Sequence, residues 1–154
     1  MKKILFVCLG NICRSPLAHG IAEEIIAKNN LDFEVDSAGT SHWHNGEAPC
    51  ENSIKVARNH GIDISHQTSR QIQKEDIAYY DYVFAMDRQN KEEMEAFGFK
   101  NVYLLGDFAG LNGVNVPDPY FFTGQSVSFG FEKVYTMIAT CVEDLLRKIE
   151  NGSL

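Results

Sequence analysis

The stretch Ile4-Leu5-Phe6-Val7-Cys8-Leu9-Gly10-Asn11-Ile12-Cys13-Arg14-Ser15-Pro16 sets the architecture of this chain. An apolar run, Ile4 to Val7, ends on a cysteine, and Arg14 stands six positions after that cysteine. Gly10 and Asn11 tolerate tight backbone angles. Ser15 suits a helix N-cap and Pro16 suits the first helical position. The order is therefore buried strand, tight loop, helix, with a thiol opening the loop and a guanidinium closing it. Backbone N–H groups along Leu9, Gly10, Asn11, Ile12, Cys13, Arg14 and Ser15 can converge into an anion-binding nest at the positive end of the helix. Such a loop holds a phosphate-like group against a nucleophilic sulfur.

Working outward, Leu17, Ile21 and Ile25 recur at four-residue spacing and predict an amphipathic helix running to about Lys28. Phe33 to Asp36 is a short second strand, closed by Ser37-Ala38-Gly39. A polar loop over 40–46 precedes a second helix, Pro49 to His60, with Gly61 as its stop. Residues 61–73 are irregular, and Lys74 to Tyr79 is a short helix. Tyr82 to Met86 is a third strand, followed by Asp87 and a charged helix from Arg88 to Phe97. Val102 to Leu105 is a fourth strand. A loop over 106–117 leads to Pro117-Asp118-Pro119, and a last helix covers Phe131 to Ile149. Short apolar strands alternating with helices predict a single-domain α/β protein over 1–154, a parallel sheet with helices on both faces. Ligands of such folds bind beyond the carboxyl ends of the strands, where the Cys8 loop, Trp43, Asp87 and Asp118 would gather.

The chain has 154 residues, 44% apolar, with a net charge of −7. That charge argues against nucleic acid as a partner, and no apolar run approaches a membrane span. Lys2 and Lys3 before an apolar run imitate a signal peptide. The run is short, lacks a small-residue cleavage site and breaks into Asn-Ile-Cys-Arg, so the expectation is a buried strand in a cytoplasmic protein. Cys8, Cys13, Cys50 and Cys141 are too few and too scattered for a disulfide scaffold. His42 and His44 have no third ligand at suitable spacing for a metal, and neither a metal nor another cofactor is expected.

A thiol near a helix N-terminus, several N–H groups and Arg14 is favoured as thiolate and becomes a nucleophile. The planar fork of Arg14 suits two oxygens of one phosphoryl group. In-line attack of sulfur on phosphorus would give a cysteinyl-phosphate. A phosphate ester also needs its leaving oxygen protonated. Asp118, held between two prolines, suits a general acid that later serves as base for water; Pro-Asp-Pro equally suits a rigid turn.

Cys-Leu-Gly-Asn-Ile-Cys-Arg-Ser-Pro, with Asp118-Pro119-Tyr120 near the C-terminus, closely resembles the low-molecular-weight protein tyrosine phosphatases. The resemblance extends to Asp36-Ser37-Ala38-Gly39-Thr40, Met86-Asp87 and the final helix. It implies a four-stranded parallel sheet of order 2-1-3-4 and hydrolysis of phosphotyrosine in proteins. It further implies Cys8 as nucleophile, Arg14 as phosphate clamp and Asp118 as general acid. By the same resemblance Ser15 stabilises the thiolate, Asn11, Ser37 and His66 hold the loop, and Asp87 orients Arg14. Ile12, Trp43, His44, Tyr120 and Phe121 would shape the substrate cleft. Cys13 could close a reversible disulfide with Cys8, as second loop cysteines do in the family, or serve only as loop packing.

Three other readings are weaker. Arsenate reductases share the loop but need further redox cysteines, and none stands between Cys50 and Cys141. Protein arginine phosphatases carry a threonine at the position of Ile12, whose bulk favours a phenyl ring. A phosphocysteine carrier would not need both Arg14 and Asp118.

Overall fold

The computed structural model describes residues 1–119 and 127–154. Its strands are β1 (Lys2–Cys8), β2 (Phe33–Gly39), β3 (Tyr82–Ala85) and β4 (Val102–Leu104). They form one parallel sheet in the order β2-β1-β3-β4, as expected. The helices are α1 (Arg14–Lys28), α2 (Glu51–Asn59), α3 (Lys74–Tyr79), α4 (Arg88–Phe97) and α5 (Val127–Glu150).

Because successive side chains of a strand point to opposite faces, β1 feeds two cores. Ile4, Phe6 and Cys8 join Leu17 and Ile21 of α1 and Ile138, Val142 and Leu145 of α5. Leu5 and Val7 join Ala38, Val83, Ala85, Met94 of α4 and Phe99 on the other face. A strand buried on both faces reads as an unbroken apolar run, which is what residues 4–7 are. The reversal of strand order lies at β1, so the loop that follows it opens into the crevice of the sheet.

Several boundaries differ from the sequence expectation: α2 covers Glu51–Asn59 rather than Pro49 to His60, β3 and β4 each end one residue earlier, and three further differences concern α1, β2 and α5. Helix α1 begins at Arg14, with Cys13 as N-cap and no side-chain cap. Ser15 is not the cap, because its hydroxyl bonds Cys8 Sγ and Asn11 Nδ2 instead. Strand β2 runs on through Gly39, since Ser37, Ala38 and Gly39 pair in register with Phe6, Val7 and Cys8. Helix α5 starts at Val127, one turn before Phe131. No helix among the described residues is long and apolar enough to cross a membrane.

Gly39 is where the sheet meets the loop. A Cβ there would lie 2.8 Å from the Leu9 carbonyl oxygen, 3.1 Å from the Gly10 carbonyl carbon and 3.2 Å from the Asn11 nitrogen. All three are backbone atoms, which cannot swing aside as a side chain does. Gly39→Ala is therefore expected to cost about 1–3 kcal/mol of stability, the range of an overpacked core. Urea unfolding would check this, and a loss below about 0.5 kcal/mol, within the scatter of surface substitutions, would show that the loop yields freely.

Candidate active site

The loop between β1 and α1 is held from outside through its carbonyl groups. Thr40 N donates to Cys8 O, and Ser41 donates to Leu9 O through both its backbone N (3.0 Å) and its hydroxyl (2.9 Å). On the other flank, Cys50 N donates to Ile12 O at 2.7 Å and Ser53 Oγ donates to Cys13 O at 3.0 Å. In a planar trans peptide the next residue's N–H points opposite to the carbonyl. The amides of Gly10, Cys13 and Arg14 are thus turned away from these partners and into the loop. Asn11 N shows the direction directly, donating to Cys8 Sγ at 3.3 Å. Asn11 adopts φ 57°, the left-handed region that asparagine tolerates better than most residues, and this lets the loop reverse.

Behind the loop runs a buried polar chain. Asn11 Nδ2 donates to Ser15 Oγ (2.8 Å) and to Ser37 Oγ (3.0 Å), while Asn11 Oδ1 accepts from Arg70 N (3.1 Å). Since Ser15 Oγ accepts from Asn11, its own proton is free to point at Cys8 Sγ, 3.1 Å away. Ser37 Oγ likewise accepts from Asn11, and His19 Nδ1 lies 3.1 Å beyond it.

His66 does not take the place expected of it in this chain: it is exposed, with Glu23 and Asp63 within electrostatic reach. The imidazole on Ser37 belongs to His19 of α1, and the second contact to Asn11 comes from the Arg70 backbone. Residues 61–73 carry His66 past the loop and bring Arg70 to it, where Gly39 N donates to Arg70 O. A sequence signal for His19 existed, for it stands four residues after Ser15 and so on the same face of α1.

Arg14 is 2% exposed, and a buried guanidinium needs partners. Its Nη1 donates to Asp87 Oδ2 at 2.7 Å and to the Val116 carbonyl at 2.9 Å; its Nη2 lies 3.5 Å from Asp118 Oδ2. Burial alone would push the guanidinium pKa down, but the negative charge of Cys8, the Asp87 bond and Asp118 outweigh it and leave Arg14 above its ordinary value. Asp87 is itself fixed, since its Oδ1 caps α4 by accepting from Asn90 N at 2.7 Å. Asp118 is brought near by the preceding loop: Val116 N donates to Met86 O, Gly113 N to Gly106 O, and Arg88 N to Asn115 Oδ1.

Cys8, Ile12, Arg14, Trp43, His44 and Asp118 border one pocket. Ile12 is buried, whereas Trp43 is 67% exposed and does not fold back onto the core. His44 packs over Gly10, where a Cβ would come within 2.9 Å of its ring. Its Nδ1 lies 3.0 Å from Glu47 Oε2, and its carbonyl accepts from Ser69 Oγ. Tyr120 and Phe121, expected on the far wall, lie outside the described residues. The Cys13 thiol does not bond Cys8; it contacts Cys50 Sγ at 2.7 Å. All four cysteines are free thiols.

The pocket thus unites a thiol that receives hydrogen bonds, inward amides, a fixed guanidinium and a carboxyl group, which together can attack a bound oxyanion ester and protonate its leaving group. Comparison with known proteins points the same way. Residues 3–153 match the family model described as low molecular weight phosphotyrosine protein phosphatase. The low molecular weight protein-tyrosine-phosphatase YfkJ of Bacillus subtilis is 39% identical, over 97% of this chain and 97% of its own. A protein tyrosine phosphatase of Entamoeba histolytica, solved with Hepes in its active site, superimposes with a TM-score of 0.91 at 33% identity, covering 100% of both chains. A Drosophila arginine phosphatase gives a TM-score of 0.88 at 34% identity, covering 97% of this chain and 98% of its own. With the loop, the sheet order and nearly the whole length matched, this chain belongs to the low-molecular-weight phosphotyrosine protein phosphatase family.

Proposed function

We propose that this chain, acting as one domain over 1–154, hydrolyses phosphotyrosine in proteins, and small aryl phosphates, through a cysteinyl-phosphate intermediate. The observation that carries the reading is the convergence on one pocket of Cys8 Sγ, the inward loop amides, Arg14 and Asp118. The direction of the Asn11 bonds leaves the Ser15 hydroxyl proton for Cys8 Sγ, which supports a thiolate nucleophile. A phosphoryl group in the loop would be held by the amides and by Arg14, whose fork Asp87 and Val116 O orient. Sulfur attacks phosphorus as the phosphorus–oxygen ester bond breaks, and Asp118 gives its proton to the departing phenol oxygen. Asp118 then takes a proton from water, whose oxygen attacks phosphorus. The sulfur–phosphorus bond breaks, releasing inorganic phosphate and restoring the thiolate. An arriving phosphoryl group competes with Asp118 for Arg14 Nη2, and that frees the carboxyl group to face the leaving oxygen.

Substrate choice rests on the pocket wall. The buried side chain of Ile12 and the exposed ring of Trp43 offer an apolar slot for a phenyl ring rather than a charged guanidinium. Four unpaired cysteines suit a reducing compartment, in support of a cytoplasmic location.

Phosphate release should be measured from a phosphotyrosine peptide, a phosphoarginine peptide and a pair of aryl phosphates with good and poor leaving groups. Cys8→Ser is expected to fall to background on all of them, and retained turnover would sink the mechanism. Asp118→Ala should lose about 10²-fold or more in kcat on phosphotyrosine, with a clearly smaller loss on the better leaving group. Faster turnover of phosphoarginine than phosphotyrosine would overturn the substrate assignment. Stoichiometric phosphorylation without release would favour a carrier.

The two histidines give a separate test of the support network. Removing one buried hydrogen bond costs about 1 kcal/mol, or roughly fivefold in rate if it is felt in the transition state. His19→Ala is expected to lower kcat by about that factor while KM changes little. His66→Ala should stay within about twofold of the parent chain, because surface substitutions act weakly.

A further inference from the structure

We propose that Cys13 and Cys50 are an oxidative modification site, at which peroxide-class oxidants join phosphate loop to helix α2 by a disulfide while Cys8 stays a free thiol. The resting contact already selects this pair. Cys13 Sγ and Cys50 Sγ are 2.7 Å apart, whereas Cys8 Sγ is engaged by Ser15 Oγ and Asn11 N. Both backbones are pinned beside the contact, Cys50 N to Ile12 O and Ser53 Oγ to Cys13 O. The thiols are therefore held together by the same bonds that shape the loop.

The pair is also asymmetric in a way that assigns the chemistry. Cys50 is the N-cap residue of α2, partly exposed, and its sulfur lies 3.1 Å from Ser53 Oγ. The hydrogen bond from the Cys13 thiol brings Cys50 down to about 7 against its burial, with Ser53 assisting. Cys13 is buried and pushed up by that same hydrogen bond and by desolvation. Cys50 is thus the sulfur that meets oxidant as thiolate, and Cys13 is the proton-bearing partner. The Cys50 thiolate attacks a hydroperoxide oxygen, the O–O bond breaks, and with hydrogen peroxide one water leaves after protonation, giving the Cys50 sulfenic acid. The Cys13 sulfur then displaces the sulfenic hydroxyl, which departs with the Cys13 proton as a second water. Two thiols are oxidised by two electrons and one peroxide is reduced to two waters.

This disulfide has a consequence for Cys8. Once Cys13 is bound to Cys50, it cannot condense with a sulfenic acid at Cys8, so Cys8 loses the resolving partner that a second loop cysteine could provide. The consequence for recovery of activity rests on the phosphatase reading above; the disulfide itself does not.

The test is peptide mapping after hydrogen peroxide, with inorganic phosphate present to cover the loop, alkylation of remaining thiols, and tryptic digestion without reduction. Cys8 and Cys13 share the peptide 4–14, and Cys50 lies in 29–55. The expected product is 4–14 joined to 29–55, with fragment ions placing the alkyl group on Cys8. Cys50→Ser should abolish it, with the activity of each protein read against its own untreated value. An internal Cys8–Cys13 disulfide in the parent chain, with Cys50 alkylated, would overturn the proposal. A second readout is activity regained with dithiothreitol after peroxide in the absence of phosphate. Cys50→Ser should regain severalfold more than the parent chain, because its Cys13 remains free to rescue Cys8; equal recovery would also count against the proposal. Mapping needs no catalysis, so failure of the phosphatase reading and failure of this one are separable.

Discussion

Everything in the site depends on where the loop's carbonyls are bonded. Each planar peptide can offer its N–H to the pocket only if its C=O is taken on the other side. Residues 40 and 41 take the carbonyls of Cys8 and Leu9, and the start of α2 takes those of Ile12 and Cys13. The inward-facing amide surface is therefore shaped by elements outside the loop. Gly39 must be a glycine for the same reason, since strand β2 approaches the loop backbone too closely for a Cβ.

Charge follows from that frame. On the reading proposed above, a chain of net charge −7 draws an anion with a local positive site, and Arg14 is the buried cation that supplies it. Burying a guanidinium is costly unless every donor is matched. The Asp87 carboxylate and the Val116 carbonyl hold one end of the fork, while Asp118 stands at the other at a longer 3.5 Å. The short contacts are to groups that orient the fork, and the long one is to the group that the proposed mechanism requires to let go. The partners also come from different crossings of the sheet edge, Asp87 after β3 and Val116 and Asp118 from the loop after β4. The site is complete only when the order 2-1-3-4 is complete.

This division explains what was legible in the sequence. Cys8, Arg14 and the helix start lie within one stretch whose backbone logic is local, and Asp118 is marked by its flanking prolines. The strand order 2-1-3-4 was readable only through the family resemblance, whereas helix faces follow from hydrophobic periods. The long-range polar partners do not. Arg70 N meets Asn11 Oδ1 across 59 positions, and Cys50 meets Cys13 across 37. No pattern of residue types specifies which backbone amide will arrive at a buried oxygen. His66 was readable as a network member only by resemblance, and the path of 61–73 brings the Arg70 amide there instead, while the imidazole comes from α1. Ser15 misled for the opposite reason, since its local preference for capping a helix gave way to a buried bond to sulfur.

The loop itself divides its labour between backbone and side chains. Its amides turn inward, while Asn11 is committed to Ser15 and Ser37, Ser15 to Cys8, and Cys13 to α2. Among residues 9–13, Leu9 and Ile12 are left as side chains with bulk to border the pocket, and Trp43 and His44 join them from outside the loop. A phosphate has no features by which one ester could be told from another, so a surface built of amides recognises only the phosphoryl group. On the proposed reading, discrimination resides in the leaving group's surroundings, where a tryptophan 67% exposed stands apart from the bonds described above as holding the loop. On that reading the reaction stays fixed while the substrate changes, in keeping with one frame shared by relatives named as a tyrosine phosphatase and an arginine phosphatase.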